Sequence, residues 1–157
     1  MKRLTISLIT ALCLGGPAFA EVDLDAFRSC VDTRIENNAP AAECVHAAQA
    51  ACLSYDPEEQ TASATLCFVE VKDGWSTGIQ DQMQKISAEA EEQITAIASI
   101  ELKYDLLANL LQCDRMHDLA RLTETPGETI ALQKARCEAT ATGLALTKLI
   151  LQSRRLP

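Results

Sequence analysis

The sequence predicts an all-α fold: a small bundle of antiparallel helical hairpins stapled by disulfides. Aromatic residues make up only 4% of the chain and strand-like alternation is scarce, whereas Ala, Leu, Gln and Glu, which favour helices, dominate. Six cysteines remain once the predicted export signal is removed, and an even number in an exported chain is typical of a disulfide framework.

The N-terminus carries the pattern of a cleaved signal peptide. Basic Lys2 and Arg3 precede an apolar run over residues 4–14, and Ala18-Phe19-Ala20 has the small-x-small form of a signal-peptidase site. The run is shorter than the roughly 20 apolar residues that a transmembrane anchor needs. We therefore predict a signal peptide over residues 1–20, cleavage after Ala20, and a periplasmic or secreted protein that consists of one domain over residues 21–157.

The charge of the chain is acidic. Loss of Lys2 and Arg3 changes the net charge from −8 to −10, because all 22 acidic residues lie after the predicted cleavage site. This balance argues against nucleic acid as a partner, since its phosphates require stripes of Lys and Arg. The acidity favours a basic partner, although solvation of helix surfaces would also account for it.

Two helices are predicted in the first part of the mature chain. The first ends near residues 37–38, and its apolar positions follow helical spacing: Leu24, Phe27, Val31 and Ile35. The second opens around Pro40 and Glu43, which suit the first turn of a helix, and continues through alanines that allow close packing.

Asp56-Pro57-Glu58-Glu59 predicts the start of a third helix, because it combines a capping carboxylate, a first-turn proline and acids at the positive dipole end. An apolar stripe then follows over residues 79–111, about nine turns. We expect this stripe to pack in the core, with dimerisation as the alternative. Residues 72–78 have weak helix propensity and predict either a kink or a break.

A last helix is predicted to run from Thr125-Pro126-Gly127-Glu128 towards Arg154, opened by a capping box with proline at the first helical position.

The predicted turns determine how the cysteines pair. Residues at equal distances from the turn of a helical hairpin lie at the same height on facing helices, where a disulfide can form. The midpoints of the three sequential cysteine pairs fall on or near turns that were identified without them. The predicted disulfides are Cys30 with Cys44, Cys52 with Cys67, and Cys113 with Cys137.

Competing roles for the cysteines are less well supported. A redox enzyme would use a Cys-x-x-Cys motif, which the chain lacks. Zinc could be imagined at Cys44 with His46, or at Cys113 with His117, but close ligand pairs from two loops are missing. We predict no metal and no cofactor, and we expect both histidines to face solvent or to line a hairpin.

Catalytic signatures are also missing from the sequence. It contains no Gly-x-Ser-x-Gly, phosphate-binding loop or His-Glu-x-x-His, so we predict that the protein is not an enzyme. Trp75, the only tryptophan, is expected in the core, with a role as a partner anchor as the alternative.

The cysteine order, followed by Glu70 and Trp75, resembles exported proteobacterial proteins with a lysozyme-inhibitor LprI-like domain. The resemblance covers roughly residues 44–151 and identifies Glu70 and Trp75 as scaffold residues. The chain departs from the family pattern at Gly78-Ile79, where Leu-Asn is usual, and over residues 109–113, where a Gln-x-x-Trp and an Arg are usual. It therefore resembles a divergent member.

These observations together predict an exported, non-enzymatic, protein-binding protein. The resemblance implies inhibition of a lysozyme-type muramidase, and such a basic partner would suit the acidic chain. The alternatives are an envelope structural or stress protein, or an immunity-type protein that binds another exported toxin. A third class, an enzyme acting on envelope material, would show turnover that depends on one carboxylate or histidine.

Overall fold

A computed structural model describes residues 22–154, so the predicted signal peptide lies outside the described residues. The helices of this part of the chain are α1 (Leu24–Glu36), α2 (Glu43–Ala48), α3 (Ala50–Leu53), α4 (Thr61–Glu89), α5 (Glu92–Ala120) and α6 (Gly127–Ser153). No strand occurs between residues 22 and 154. The predicted all-α fold is confirmed.

Side-chain and backbone caps define both ends of α1. The carboxylate of Asp23 accepts hydrogen bonds from the backbone N–H groups of Asp25 and Ala26, at 3.1 and 2.8 Å. At the other end Asn38 adopts a left-handed conformation with φ of 52°, and the N–H of Ala39 donates to the carbonyl of Arg34. The helix therefore ends where the Asn-Asn pair predicts.

The predicted second helix is divided into α2 and α3 at Gln49. The side chain of Gln49 is almost completely buried, and its Oε1 accepts a hydrogen bond from the hydroxyl of Thr140 on α6. The backbone of Gln49 leaves helical geometry, with φ −94° and ψ 4°. The expectation of one continuous helix is wrong at this residue.

Asp56 caps a turn rather than the first residue of α4. Its Oδ1 accepts hydrogen bonds from the N–H groups of Glu58 and Glu59, at 2.8 and 2.9 Å, and its own N–H donates to Oε1 of Gln60. The chain completes this turn before α4 begins at Thr61. The start signal is therefore real, but the helix begins one turn later than it predicts.

α4 is continuous through residues 72–78, so the break considered there is absent. The two glycines in this stretch allow neighbouring helices to come close. A Cβ at Gly74 would lie 3.1 Å from Val22, and one at Gly78 would lie 2.7 Å from Leu146 of α6 and 2.8 Å from Leu24 of α1. Close packing outweighs the weak helix propensity of these residues.

The apolar stripe over residues 79–111 does not form one continuous helix. α4 ends at Glu89, and Ala90 and Glu91 are extended before α5 begins. The part of the stripe on α4 is buried, as at Ile86, whereas Tyr104 on α5 is 65% exposed. The prediction of core packing is therefore wrong for α5, because a different face of that helix contacts α6.

α6 lies between α4 and α5. It runs parallel to α4, since Lys72 contacts Glu138 at 2.7 Å and Gln82 contacts Ser153 at 3.0 Å. It runs antiparallel to α5. Twelve residues of α6 are buried, against Cys113 alone on α5: Ile130, Leu132, Ala135, Ala139, Ala141, Thr142, Gly143, Ala145, Leu146, Thr147, Leu149 and Ile150.

The start of α6 differs from the predicted capping box. Pro126 occupies the position before the first helical residue, and no side chain caps this end. The hydroxyl of Thr125 lies 2.8 Å from the hydroxyl of Thr123 in the preceding turn. Thr125 therefore stabilises the α5–α6 loop and not the helix terminus.

The core centres on Trp75, which is fully buried. The ring of Phe27 from α1 meets it edge-on, with centroids 4.6 Å apart and planes at 62°. On the other side α6 presents Gly143, where a Cβ would lie 2.8 Å from Val45 and 3.0 Å from Nε1 of Trp75. The tryptophan of α4 thus packs against α1 and α6, which is the core role that the sequence predicts.

Candidate protein-binding site

Three disulfides join the cysteines in sequential pairs. Cys30 is bonded to Cys44, Cys52 to Cys67, and Cys113 to Cys137. Their Cα–Cα distances are 5.9, 5.5 and 5.7 Å, within the range that disulfides require. These are the pairs that the predicted turns specify. They connect α1 to α2, α3 to α4, and α5 to α6.

Bonding of all six cysteines removes them from other chemistry. Zinc binding and nucleophilic attack both use a thiolate, which a disulfide does not offer. Cys44 and Cys113, considered above as zinc ligands beside His46 and His117, are each bonded to another cysteine. Within residues 22–154, no group of three or more His, Cys, Asp or Glu side chains is arranged to hold a metal ion.

The histidines lie apart on different helices. His46 is exposed on α2, and His117 on α5 has a partly exposed side chain whose Nδ1 lies 3.3 Å from Asp118. Both lie at the surface, as the sequence predicts. The residues that the family resemblance singles out, Glu70 and Trp75, lie on α4, where Glu70 is half-buried and Trp75 is part of the core.

The parallel arrangement of α4 and α6 brings two acidic segments to one end of the bundle. The α3–α4 loop carries Asp56, Glu58 and Glu59, and the start of α6 follows Glu124 and includes Glu128. All five side chains are exposed. We call this set the acidic end.

The charge of Asp56 is stabilised by the backbone. Hydrogen bonds from the N–H groups of Glu59 and Glu58 lower the pKa of its carboxyl below the usual value. Asp56 therefore stays ionised to lower pH than an ordinary aspartate. It both orders the loop and contributes negative charge to the acidic end.

An apolar cleft of about 280 Å³ opens at the acidic end, between the α3–α4 loop and α6. Tyr55 and Pro57 line it from the loop, Phe68 from α4, and Leu132 from α6. Cys52, which is bonded to Cys67 on α4, lies at its base. Three polar residues of α6 also line the cleft: Thr129, Gln133 and Arg136. The cleft therefore has mostly apolar walls held by a disulfide, with one cation in its lining and the carboxylates of the acidic end on the same loop and at the start of α6.

Sequence reasoning identified only part of this site. Residues 56–59 were interpreted as a helix start, and neither Tyr55 nor Leu132 was singled out. The signal that was available is the repetition of a proline and an acid at two helix starts, Asp-Pro-Glu-Glu and Thr-Pro-Gly-Glu. Only the parallel packing of α4 and α6 shows that these two starts are neighbours.

Two further findings concern the class of protein. Among residues 22–154, no helix combines the length and the apolar character that crossing a bilayer requires. No protein-family model matches the sequence, and no curated protein or solved structure is significantly similar to it. The resemblance to LprI-like domains therefore rests on the order of the cysteines with Glu70 and Trp75.

Proposed function

We propose that this is an exported, non-enzymatic protein whose acidic end binds a basic protein, and that the partner is a lysozyme-type muramidase. The observation that carries the proposal is the apolar cleft beside Tyr55 and Leu132 at an end of the bundle that also bears five exposed carboxylates. Apolar pockets with charged rims are typical of protein interfaces. The muramidase is the partner that the family resemblance implies.

The two parts of the acidic end would contribute differently to binding. Carboxylates such as Glu58 and Glu59 attract a basic partner over a distance and accelerate encounter in a salt-dependent way. The cleft accepts an apolar side chain of the partner and slows dissociation, since buried apolar anchors dominate interface energies. The disulfide between Cys52 and Cys67 orders the loop beforehand, which lowers the entropy cost of binding.

Two observations support a non-enzymatic role. The six cysteines, which would be the strongest nucleophiles of the mature chain, are bonded to one another. The two histidines lie on separate helices, and the neighbour of His117 is a carboxylate rather than a hydroxyl. An enzyme that used a cysteine or a histidine-activated hydroxyl would instead need that nucleophile and a base within hydrogen-bond reach.

The test is a titration of the oxidised mature protein into muramidase assays with several lysozyme types, at low and at moderate salt. We expect stoichiometric inhibition that weakens as salt increases. The double variant E58Q/E59Q should weaken inhibition strongly. The matched control E89Q/E91Q removes the same charge at the opposite end of α4 and should inhibit almost as well as the wild type.

Two results would contradict the proposal in different ways. An equal loss in both double variants would mean that net charge, and not the acidic end, governs inhibition. No inhibition of any lysozyme type would remove the muramidase as partner. A basic exported toxin would then be the next partner to test with the same two variants, because an immunity-type protein would require the same complementarity of charge.

A further inference from the structure

The outward face of α5 carries an apolar stripe with coiled-coil spacing. Its members are separated by three, four, three and four residues, which is the a/d pattern of a heptad repeat. They are Ile97, Ile100, Tyr104, Leu107 and Leu111, and each is between 49% and 65% exposed. We call these five residues the α5 stripe.

Residues of α5 outside the α5 stripe attach the helix to α6. Asp105 forms an ion pair with Lys148 at 2.5 Å, Glu101 accepts a hydrogen bond from Gln152 at 2.6 Å, and Cys113 is bonded to α6. These contacts fix the direction of the helix, so the α5 stripe is directed away from the bundle. A helix of 29 residues that keeps this pattern presents a seam for another helix.

Charge indicates what occupies the seam. The chain as a whole is strongly acidic, but the charges of α5 over residues 97–115 are nearly balanced. Asp105 and Asp114 are neutralised by lysines of α6, which leaves Glu101 against Lys103 and Arg115. A basic partner would gain no attraction here. A second copy of the acidic chain would meet the least electrostatic repulsion on this face, since like charges destabilise an interface.

The exposed area is also of the size that a small dimer needs. Half-exposed side chains of this size offer roughly 100 Å² each, or on the order of 500 Å² for the α5 stripe. The aliphatic parts of flanking side chains add to this area, so that the surface buried on each partner approaches the roughly 800 Å² of a standard interface. An interface at this lower limit corresponds to a dissociation constant of about micromolar order.

We propose that α5 pairs with α5 of a second copy through the α5 stripe, giving a homodimer. The pairing covers the apolar side chains that the bundle leaves exposed, and it leaves the acidic end of each copy free. This interface is independent of the proposed function, because none of the five residues lines the cleft at the acidic end.

Analytical ultracentrifugation of the oxidised mature protein, from about 1 to 200 µM, tests the proposal. We expect the wild type to change from monomer to dimer over this range. Leu107→Glu places a charge in the seam and should weaken the dimer by at least about tenfold. The control Leu66→Glu changes a leucine on α4 that is 58% exposed, against 49% for Leu107, and should leave dimerisation unchanged.

Circular dichroism shows whether each variant is folded, and both substitutions are at exposed helix positions. A wild type that stays monomeric at 200 µM would overturn the proposal, as would equal weakening by the two variants. The muramidase titration separates this proposal from the proposed function: Leu107→Glu should lose the dimer and keep the inhibition.

Discussion

Nζ of Lys134 on α6 lies 2.7 Å from Oδ1 of Asp114 on α5, next to the disulfide between Cys113 and Cys137. The same ammonium lies 3.7 Å from Glu138, which also pairs with Lys72 of α4. A chain of alternating charges thus crosses the three long helices. It links α4, through α6, to α5, which is the one long helix with only a single buried residue.

This ion pair predicts a pH dependence of stability. The hydrogen bond and the charge of Lys134 lower the pKa of Asp114, so the folded-state pKa lies below the unfolded one. The stabilisation is therefore complete above the unfolded pKa of aspartate, near 3.8, and is lost as pH falls through the lower folded value. For Lys134 the pH dependence has the opposite sign. Its hydrogen bond with Asp114 raises its pKa in the folded state above the unfolded value of 10.5. The stabilisation is therefore complete below pH 10.5 and is lost as pH rises through the higher folded-state pKa.

Urea unfolding of Asp114→Asn and the wild type between pH 2 and pH 7 measures this effect. We expect the variant to be less stable near neutral pH and the difference to shrink towards pH 2. Asp73→Asn is the control, because Asp73 is exposed on α4 and forms no ion pair among the residues described. A difference that stayed constant over the whole range would show that the ion pair is not its cause.

The two glycines at the centre of the bundle should respond differently to alanine. Gly→Ala within a helix gains up to about 1 kcal/mol in propensity. At Gly78 the new Cβ meets the flexible ends of Leu146 and Leu24, so the free energy of unfolding should change little. At Gly143 it meets the branched Val45 and the rigid ring of Trp75, so we expect a net loss of about 1 to 3 kcal/mol.

Fluorescence of the single tryptophan reports unfolding for both variants, because Trp75 is fully buried in the native state. Urea midpoints of Gly78→Ala, Gly143→Ala and the wild type give the comparison. Equal destabilisation by the two substitutions would argue against the close contact of α6 with Trp75.

Removal of a disulfide should cost about 3 kcal/mol, because each bond constrains a loop of the unfolded chain. We expect Cys52→Ser with Cys67→Ser to lower the urea midpoint and also to weaken inhibition, since that bond holds the loop beside the cleft. Cys113→Ser with Cys137→Ser should lower the midpoint and leave inhibition nearly intact. Peptide mapping of the unreduced protein checks the pairing, and any cross-pair peptide would refute it.

The sequence predicted those features that depend on local signals. The end of α1 follows from its asparagines, and the cysteine pairs follow from turns that lie midway between them. Helix breaks were predicted less well. Residues 72–78 have weak helix propensity, yet packing around Gly78 keeps α4 continuous, whereas the burial of Gln49 divides a segment with strong helix propensity.

The partners of each helix could not be read from periodicity. A regular apolar stripe shows that a face is apolar, but not which element covers it. The stripe of residues 79–111 is therefore buried on α4 and exposed on α5. The acidic end could not be predicted for the same reason. Its carboxylates come from two segments that are about 65 residues apart in the chain, and only the parallel packing of α4 and α6 brings them together.

The three disulfides follow one another along the chain without overlap, and they span 14, 15 and 24 residues. An N-terminal bond is therefore complete before the cysteines of the next bond are needed. A chain that emerges from a translocation channel N-terminus first can be oxidised in order of emergence, each cysteine joining the next one to appear. We expect a thiol oxidase to suffice for the maturation of a protein exported in this way, because oxidation in this order leaves no wrong bond for a disulfide isomerase to exchange.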